Sequence, residues 1–156
     1  MRKDPKLSTI KKLFALSGNK CAFSSCDQNL IDKHGNIFAQ ICHIEAAEQG
    51  GERHNQNQTD EERRSFENLV LLCANHHIES NNVEIWTVEK LKSIKSEHEK
   101  LFLKNQFQIS DEVANKALFF DLLENIKTEL DKENVNDANK LLKNVKSIIS
   151  SLNNEK

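Results

Sequence analysis

Residues 68 to 80 read Asn-Leu-Val-Leu-Leu-Cys-Ala-Asn-His-His-Ile-Glu-Ser, so Cys73, His76 and His77 crowd together in a chain that has four cysteines and six histidines among its 156 residues. Upstream, Cys21 and Cys26 are separated by four residues. The two pairs, Cys21-x4-Cys26 and Cys73-x2-His76, are the ligand types and short spacings that fill a tetrahedral zinc shell. Four protein ligands leave no open position, so the ion expected here is structural. It would staple two segments that lie far apart in the chain. The plainer reading keeps these cysteines as ordinary buried thiols and His76 as a surface residue. Cys42, His43, Asn68 and His77 stand outside that shell. His77 follows the last proposed ligand directly, so a zinc at His76 would make it project from a rigid position, able to face the segment that ends in His43.

The elements that must position these residues follow from pattern. Asp4-Pro5 reads as an N-cap and a first helical proline, and Leu7, Ile10, Leu13 and Phe14 recur at helical spacing until Ser17-Gly18. A knuckle around Cys21 and Cys26 is followed by a turn at 34–36, His-Gly-Asn. Residues 37–44 and 68–72 are rich in strand formers, and a short helix is expected after the second run. Between them, residues 45–67 form a polar loop, in which Asp60 is expected to cap a helical turn over 61–66. A loop of that length inside a small domain is usually functional. Thr87 is expected to cap a longer helix presenting Leu91, Ile94, His98, Leu101 and Phe102 on one face, with Trp86 plugging its start. His98 on that apolar face reads as a packed, hydrogen-bonded residue.

From about 110 a helical hairpin is expected. Val113, Ala117, Phe120, Leu123, Ile126 and Leu130 form one stripe, and Leu141, Leu142, Val145, Ile148, Ile149 and Leu152 the other, broken at 132–137. Two helices bury little by themselves, so they need a third surface from this chain or another. The organisation expected is a domain over 1–104 and a docking hairpin over 105–156.

Apolar residues make up 37% of the chain, enough to fold but with a small core that favours a metal staple. No run is long and apolar enough for a membrane span, and the opening stretch lacks the apolar block of a signal peptide, so a cytoplasmic setting is expected. There, spaced cysteines favour metal over disulfides. Residues 1–104 balance fifteen Lys and Arg against fifteen Asp and Glu, so the chain lacks the basic excess that nucleic-acid binding normally brings.

Taken together, Cys-Ala-Phe-Ser-Ser-Cys (21–26), Cys-His-Ile (42–44), Gly-Gly (50–51), Glu-Asn-Leu-Val-Leu-Leu-Cys (67–73) and Asn-His-His (75–77) resemble the zinc-containing HNH endonucleases of the ββα-metal type. The stretch Thr-Val-Glu-Lys-Leu-Lys-Ser-Ile-Lys-Ser-Glu-His-Glu (87–99) resembles the helix that follows the motif in many bacterial members. The likeness covers roughly residues 12–102. It implies an α+β fold with a ββα-metal (HNH, His-Me finger) core, a zinc knuckle and flanking helices, and hydrolysis of DNA phosphodiester bonds.

Residue by residue, the resemblance implies His43 as the general base, Asn68 as the side chain that pins the long loop, and His77 as a ligand of a catalytic divalent cation such as Mg2+. The knuckle ligands fall on Cys21, Cys26, Cys73 and His76. Arg53, Arg63 and Arg64 are candidates to hold the scissile backbone through phosphate contacts, although Arg63 and Arg64 follow two glutamates and read equally as a solvated helix face. One position departs: many members place an Asp where this chain has Cys42, and a thiol suits a hard cation poorly. Either another group completes the shell, or a softer metal is used, or His77, water and substrate phosphate suffice. Cys42 also reads simply as a small buried residue.

The function expected is thus a metal-dependent DNA endonuclease, in a bacterial restriction or anti-phage defence setting, acting as a homodimer or with a larger regulatory protein bound through 105–156. The competing expectation is a zinc-stapled nucleic-acid-binding module that has lost activity, or a nuclease subunit controlled by a partner.

Overall fold

The computed structural model describes residues 3–131 and 135–153, with side chains as far as residue 150. Helix α1 (Leu7–Ala15) turns Ile10, Leu13 and Phe14 into the core, the stripe its spacing predicts. It begins later than Asp4-Pro5 suggests: Lys6 occupies the N-cap position in an extended conformation, with no side-chain cap. Asp4 is engaged elsewhere, its carbonyl accepting from Arg64 Nη1 (3.2 Å) and its carboxylate from Asn144 Nδ2 (3.2 Å). The helix stops at a left-handed pair, Gly18 and Asn19, with φ of 56° and 60°.

Strands β1 (Ala39–His43) and β2 (Leu69–Cys73) pair antiparallel, with Ala39 opposite Cys73 and His43 opposite Leu69. The fold is therefore mixed α+β, with a two-stranded sheet among helices. All five residues of β2 are buried, because α1 packs against β2 while a C-terminal helix packs against β1. The knuckle joins the same sheet through the Ala22 amide, which donates to the Leu71 carbonyl (3.2 Å). The turn predicted at 34–36 forms around Asp32, whose Oδ1 accepts from the amides of His34 and Asn36, with Gly35 at φ 81°.

Within the long loop, α2 (Asp60–Arg63) is capped by Thr59 rather than Asp60. Thr59 and Glu62 form a reciprocal capping box, so each satisfies an otherwise unpaired amide at the helix start. After a 3₁₀ turn at Phe66–Asn68, β2 leads directly into α3 (Ala74–Glu79). Helix α4 (Val88–Phe102) is capped by Thr87, as its sequence predicts. Leu91 is buried, but Leu101 is 74% exposed, and the buried place on that side belongs to Lys95. Its stem lies under α4 with the ammonium 3.6 Å from the Phe66 ring centre, opposite Lys12 at 3.7 Å, and it pairs with Glu99. A long amphipathic stem can cover apolar surface while its charge finds a π face and a carboxylate.

Helices α5 (Asp111–Asp131) and α6 (Val135–Asn153) form the C-terminal hairpin. The expected break at 132–137 is shorter than that, since Val135–Asp137 already belong to α6, while 132–134 and the side chain of Leu152 fall outside the described residues. The third surface comes from the same chain: α5 lies on α1 and β1, with Ala114 and Ala117 inside the main core. A second, smaller core joins Leu122 and Ile126 of α5 to Ala138, Leu141 and Val145 of α6. The predicted stripes are buried in part, through Ala117, Ile126, Leu141 and Val145, while Phe120, Leu123, Leu130, Leu142 and Ile149 are exposed. Among the described residues no helix is long and apolar enough to cross a membrane.

Candidate metal centre and adjoining cavity

Cys21 and Cys26 are held by short backbone bonds of the knuckle. The Cys26 amide donates to Phe23 O (2.9 Å), and the Cys21 amide to Gln28 O (3.3 Å). Cys73 ends β2 and His76 lies on the first turn of α3, so the sheet and the helix behind it deliver the second pair. The four ligand atoms lie within 4.8 Å of one another. A tetrahedral zinc with Zn–S near 2.3 Å and Zn–N near 2.0 Å separates its ligand atoms by about 3.5–3.8 Å. Here Cys21 Sγ stands 3.6 Å from His76 Nδ1, and Cys26 Sγ 3.9 Å from Cys73 Sγ, while Cys73 Sγ to His76 Nδ1 is tighter at 3.1 Å. The donor set, three thiols and one imidazole, suits zinc. Among the described residues no second group of three or more His, Cys, Asp or Glu side chains converges in this way.

The surroundings orient these ligands. His76 presents Nδ1 toward Cys21 and Cys73, and its Nε2 lies 3.9 Å from the exposed Glu79 carboxylate, beyond hydrogen-bond length. Phe23, between the two knuckle cysteines, stacks on the His76 ring at 4.3 Å and meets Trp86 at 4.6 Å. Burial pushes the Cys21 thiol up to about 12, opposed by the amides of Cys73 and Phe23. A cation binding there displaces that proton, so its affinity must weaken in acid.

Beside the centre, His43 at the end of β1 and His77 on α3 line one cavity of about 510 Å³, with Cys42 on its wall. Burial lowers the pKa of His77, while the carboxylates of Glu124, Glu52 and Asp121 pull it the other way. Its imidazole is therefore neutral near pH 7, the form that ligates a cation. Cys42 is buried, which drives its thiol well above the ordinary range, so it behaves as a core residue.

Asn68 is buried beneath the loop. Its Oδ1 accepts from the Glu45 amide (2.9 Å), and its Nδ2 donates to the carbonyls of Glu45 (2.9 Å) and Arg63 (2.8 Å). One side chain thus ties both ends of the long loop to the start of β2. Glu45 is a second organiser that sequence patterning did not reveal. Buried itself, it accepts from Asn55, Gln58 and Lys92. An acidic residue at the head of a polar loop carries no periodic signal that would mark it.

The three arginines are turned toward the protein. Arg53 donates from Nε to Ile44 O (2.7 Å) and from Nη1 to Ser80 O (2.8 Å) and Trp86 O (3.2 Å). Arg63 donates to the carbonyls of Ala46, Asn55 and Gln58. Arg64 grips Glu61 and, together with Lys3, holds that exposed carboxyl down to about 2. Of the three, Arg53 lines the cavity with His43 and His77, and its guanidinium is the staple between the loop and the segment after α3. The cavity wall also includes Asn125 and Thr128 of α5, which nothing in the local sequence points to.

No protein-family model matches the chain, and no curated protein matches it in sequence.

Proposed function

We propose that this protein is a zinc-stapled, divalent-metal-dependent endonuclease of the HNH type, built on a ββα-metal core and acting on DNA. The observation that carries the reading is the shared cavity. Two imidazoles 34 positions apart in sequence, His43 and His77, line one recess next to a Cys3His cluster, on an antiparallel strand pair followed by a helix. That is the placement hydrolysis of a phosphodiester needs, because a base and a cation ligand must act on the same phosphate.

In this reading His43 takes a proton from the attacking water, and His77 holds the catalytic cation. Bound there, such a cation would supply stabilisation of charge on the phosphoryl and departing oxygens. The described residues offer it one imidazole and no converging set of carboxylates, so its other positions fall to water and substrate oxygens, a mode magnesium tolerates. Asn68 keeps the loop and hence β1 in register. The exposed apolar side chains of the hairpin, among them Phe120, Leu130 and Val135, support docking on a second copy or a larger regulatory protein through 105–156. Membership of a restriction or anti-phage defence system rests on family analogy.

A second reading, the inactive nucleic-acid-binding module, is favoured by Cys42, a core thiol where the resemblance expects an acid, and by arginines already committed to protein acceptors. Plasmid incubated with zinc-loaded protein and added magnesium, manganese or nickel separates the two. Cutting by the parent protein and not by His43→Ala supports the nuclease. Retention of DNA by both, with no cutting in any metal, overturns it in favour of the module.

A further inference from the structure

Helix α5 does more than complete the core. Its first half is bound into the body through Ala114 and Ala117, two small residues that let it lie close on α1 and β1. From Leu122 onward its buried face belongs to the separate core shared with α6. The same distal half carries Asn125 and Thr128 onto the wall of the cavity that holds His43 and His77. His43 Nε2 and Asn125 Nδ2 are both sealed from solvent. Asp121 and Glu124, on the adjoining turn, stand close enough to His77 for their charges to act on it. A phosphate backbone entering the cavity therefore meets α5 along one wall and two carboxylates of its own sign.

We propose that the distal half of α5 is a cover over this cavity, which excludes nucleic acid until it lifts together with α6. The proposal rests on the nuclease reading for what is excluded, but the sealing of His43 Nε2 is a property of the fold alone. The boundary between the cores supplies the hinge: Leu118 packs against both, and beyond it α5 and α6 keep Leu122, Ile126, Leu141 and Val145 buried against each other while they move. One link between α6 and the N-terminal segment is a hydrogen bond from Asn144 to Asp4. A partner gripping the exposed apolar side of the hairpin is the kind of ligand that would draw the cover away.

Charge reversal at two positions that leave both cores intact, Asp121→Lys with Glu124→Lys, tests this in the full-length, zinc-loaded chain. Two rates are read: plasmid cutting, and acylation of His43 by diethyl pyrocarbonate followed by mass spectrometry. Both are expected to rise by about tenfold over the parent, the effect of converting a mostly closed population to a mostly open one. Equal cutting and equal His43 acylation in parent and variant overturn the cover while leaving the nuclease intact. Faster acylation with no cutting by either protein keeps the cover and removes the nuclease. Hydrogen exchange on the unaltered chain guards against a misfolded variant. Without any ligand, amides 118–131 should exchange faster than those of β1 and β2, and equal or slower exchange there overturns the proposal.

Discussion

Asn68 shows what one side chain does for a 23-residue loop: its Oδ1 and both Nδ2 hydrogens are directed at backbone groups of that loop. Asn68→Ala is expected to cost about 3 kcal/mol, since the loss strands an amide and two carbonyls at ~1 kcal/mol or more each, as read from urea unfolding at fixed zinc. An unchanged midpoint would mean that water replaces the amide freely. His98 gives a pH signature. Its Nε2 donates to Ser17 O (2.9 Å), and burial lowers its pKa below the ordinary 6.5 despite that bond. Between the folded value and 6.5 the unfolded chain binds more protons, so the stability contributed by neutral His98 is full above 6.5 and is lost as pH falls through the folded value. Ring-proton NMR should place the His98 midpoint below that of an exposed histidine; a midpoint at or above 6.5 refutes this. At this scale the ligand types were legible because zinc chemistry depends on short spacings. The arginines were not: sequence shows a positive charge but not whether its acceptor is a phosphate or the chain's own carbonyl.

At the scale of elements, local rules placed most helices and both strands, and failed where a neighbour from elsewhere intervened. Asp4 does not cap α1 because Arg64 and Asn144 claim it, and Leu101 gives way to Lys95 because Phe66 offers the ammonium a π face. Thr59 takes the cap of α2 from Asp60 because Glu62 lies where it can close the reciprocal box, a pattern already written in Thr59-x-x-Glu62. The stop after α1 is more demanding than its sequence implies. Gly18 combines φ of 56° with the Phe102 ring of α4, where a Cβ would come within 2.0 Å of a ring carbon. Gly18→Ala is therefore expected to cost about 2–4 kcal/mol, from left-handed strain plus overpacking, and to loosen α4 from α1. Thermal or urea unfolding checks it, and a loss under ~0.5 kcal/mol would show that Phe102 moves aside without penalty.

For the molecule as a whole, the apolar content is modest and the sheet has two short strands, so the metal cluster is expected to supply cohesion that the core lacks. Purified protein should carry one zinc per chain. A strong chelator should abolish cooperative unfolding of the body, with recovery on adding zinc, because the binding energy of a structural zinc is folding energy. Full retention of the melting transition without metal would remove the staple from the account. The hairpin illustrates the division between the two kinds of information. Its helices were readable from apolar spacing, and Ala117, Ile126, Leu141 and Val145 of the expected stripes are buried, but the full buried face was not: α1 and β1, about 75 to 100 residues earlier, also take in Ala114, and α6 takes in Leu122. The sequence by itself determined the zinc-type ligands, the periodicities, the turn at Gly35 and the Thr87 cap, because each is settled among residues a few positions apart. Tertiary structure alone decided that His43 and His77 line one cavity, that Arg53 reaches Ser80 and Trp86, and that Asn125 and Thr128 of α5 share the cavity wall, because those placements join distant segments whose meeting depends on the folded whole.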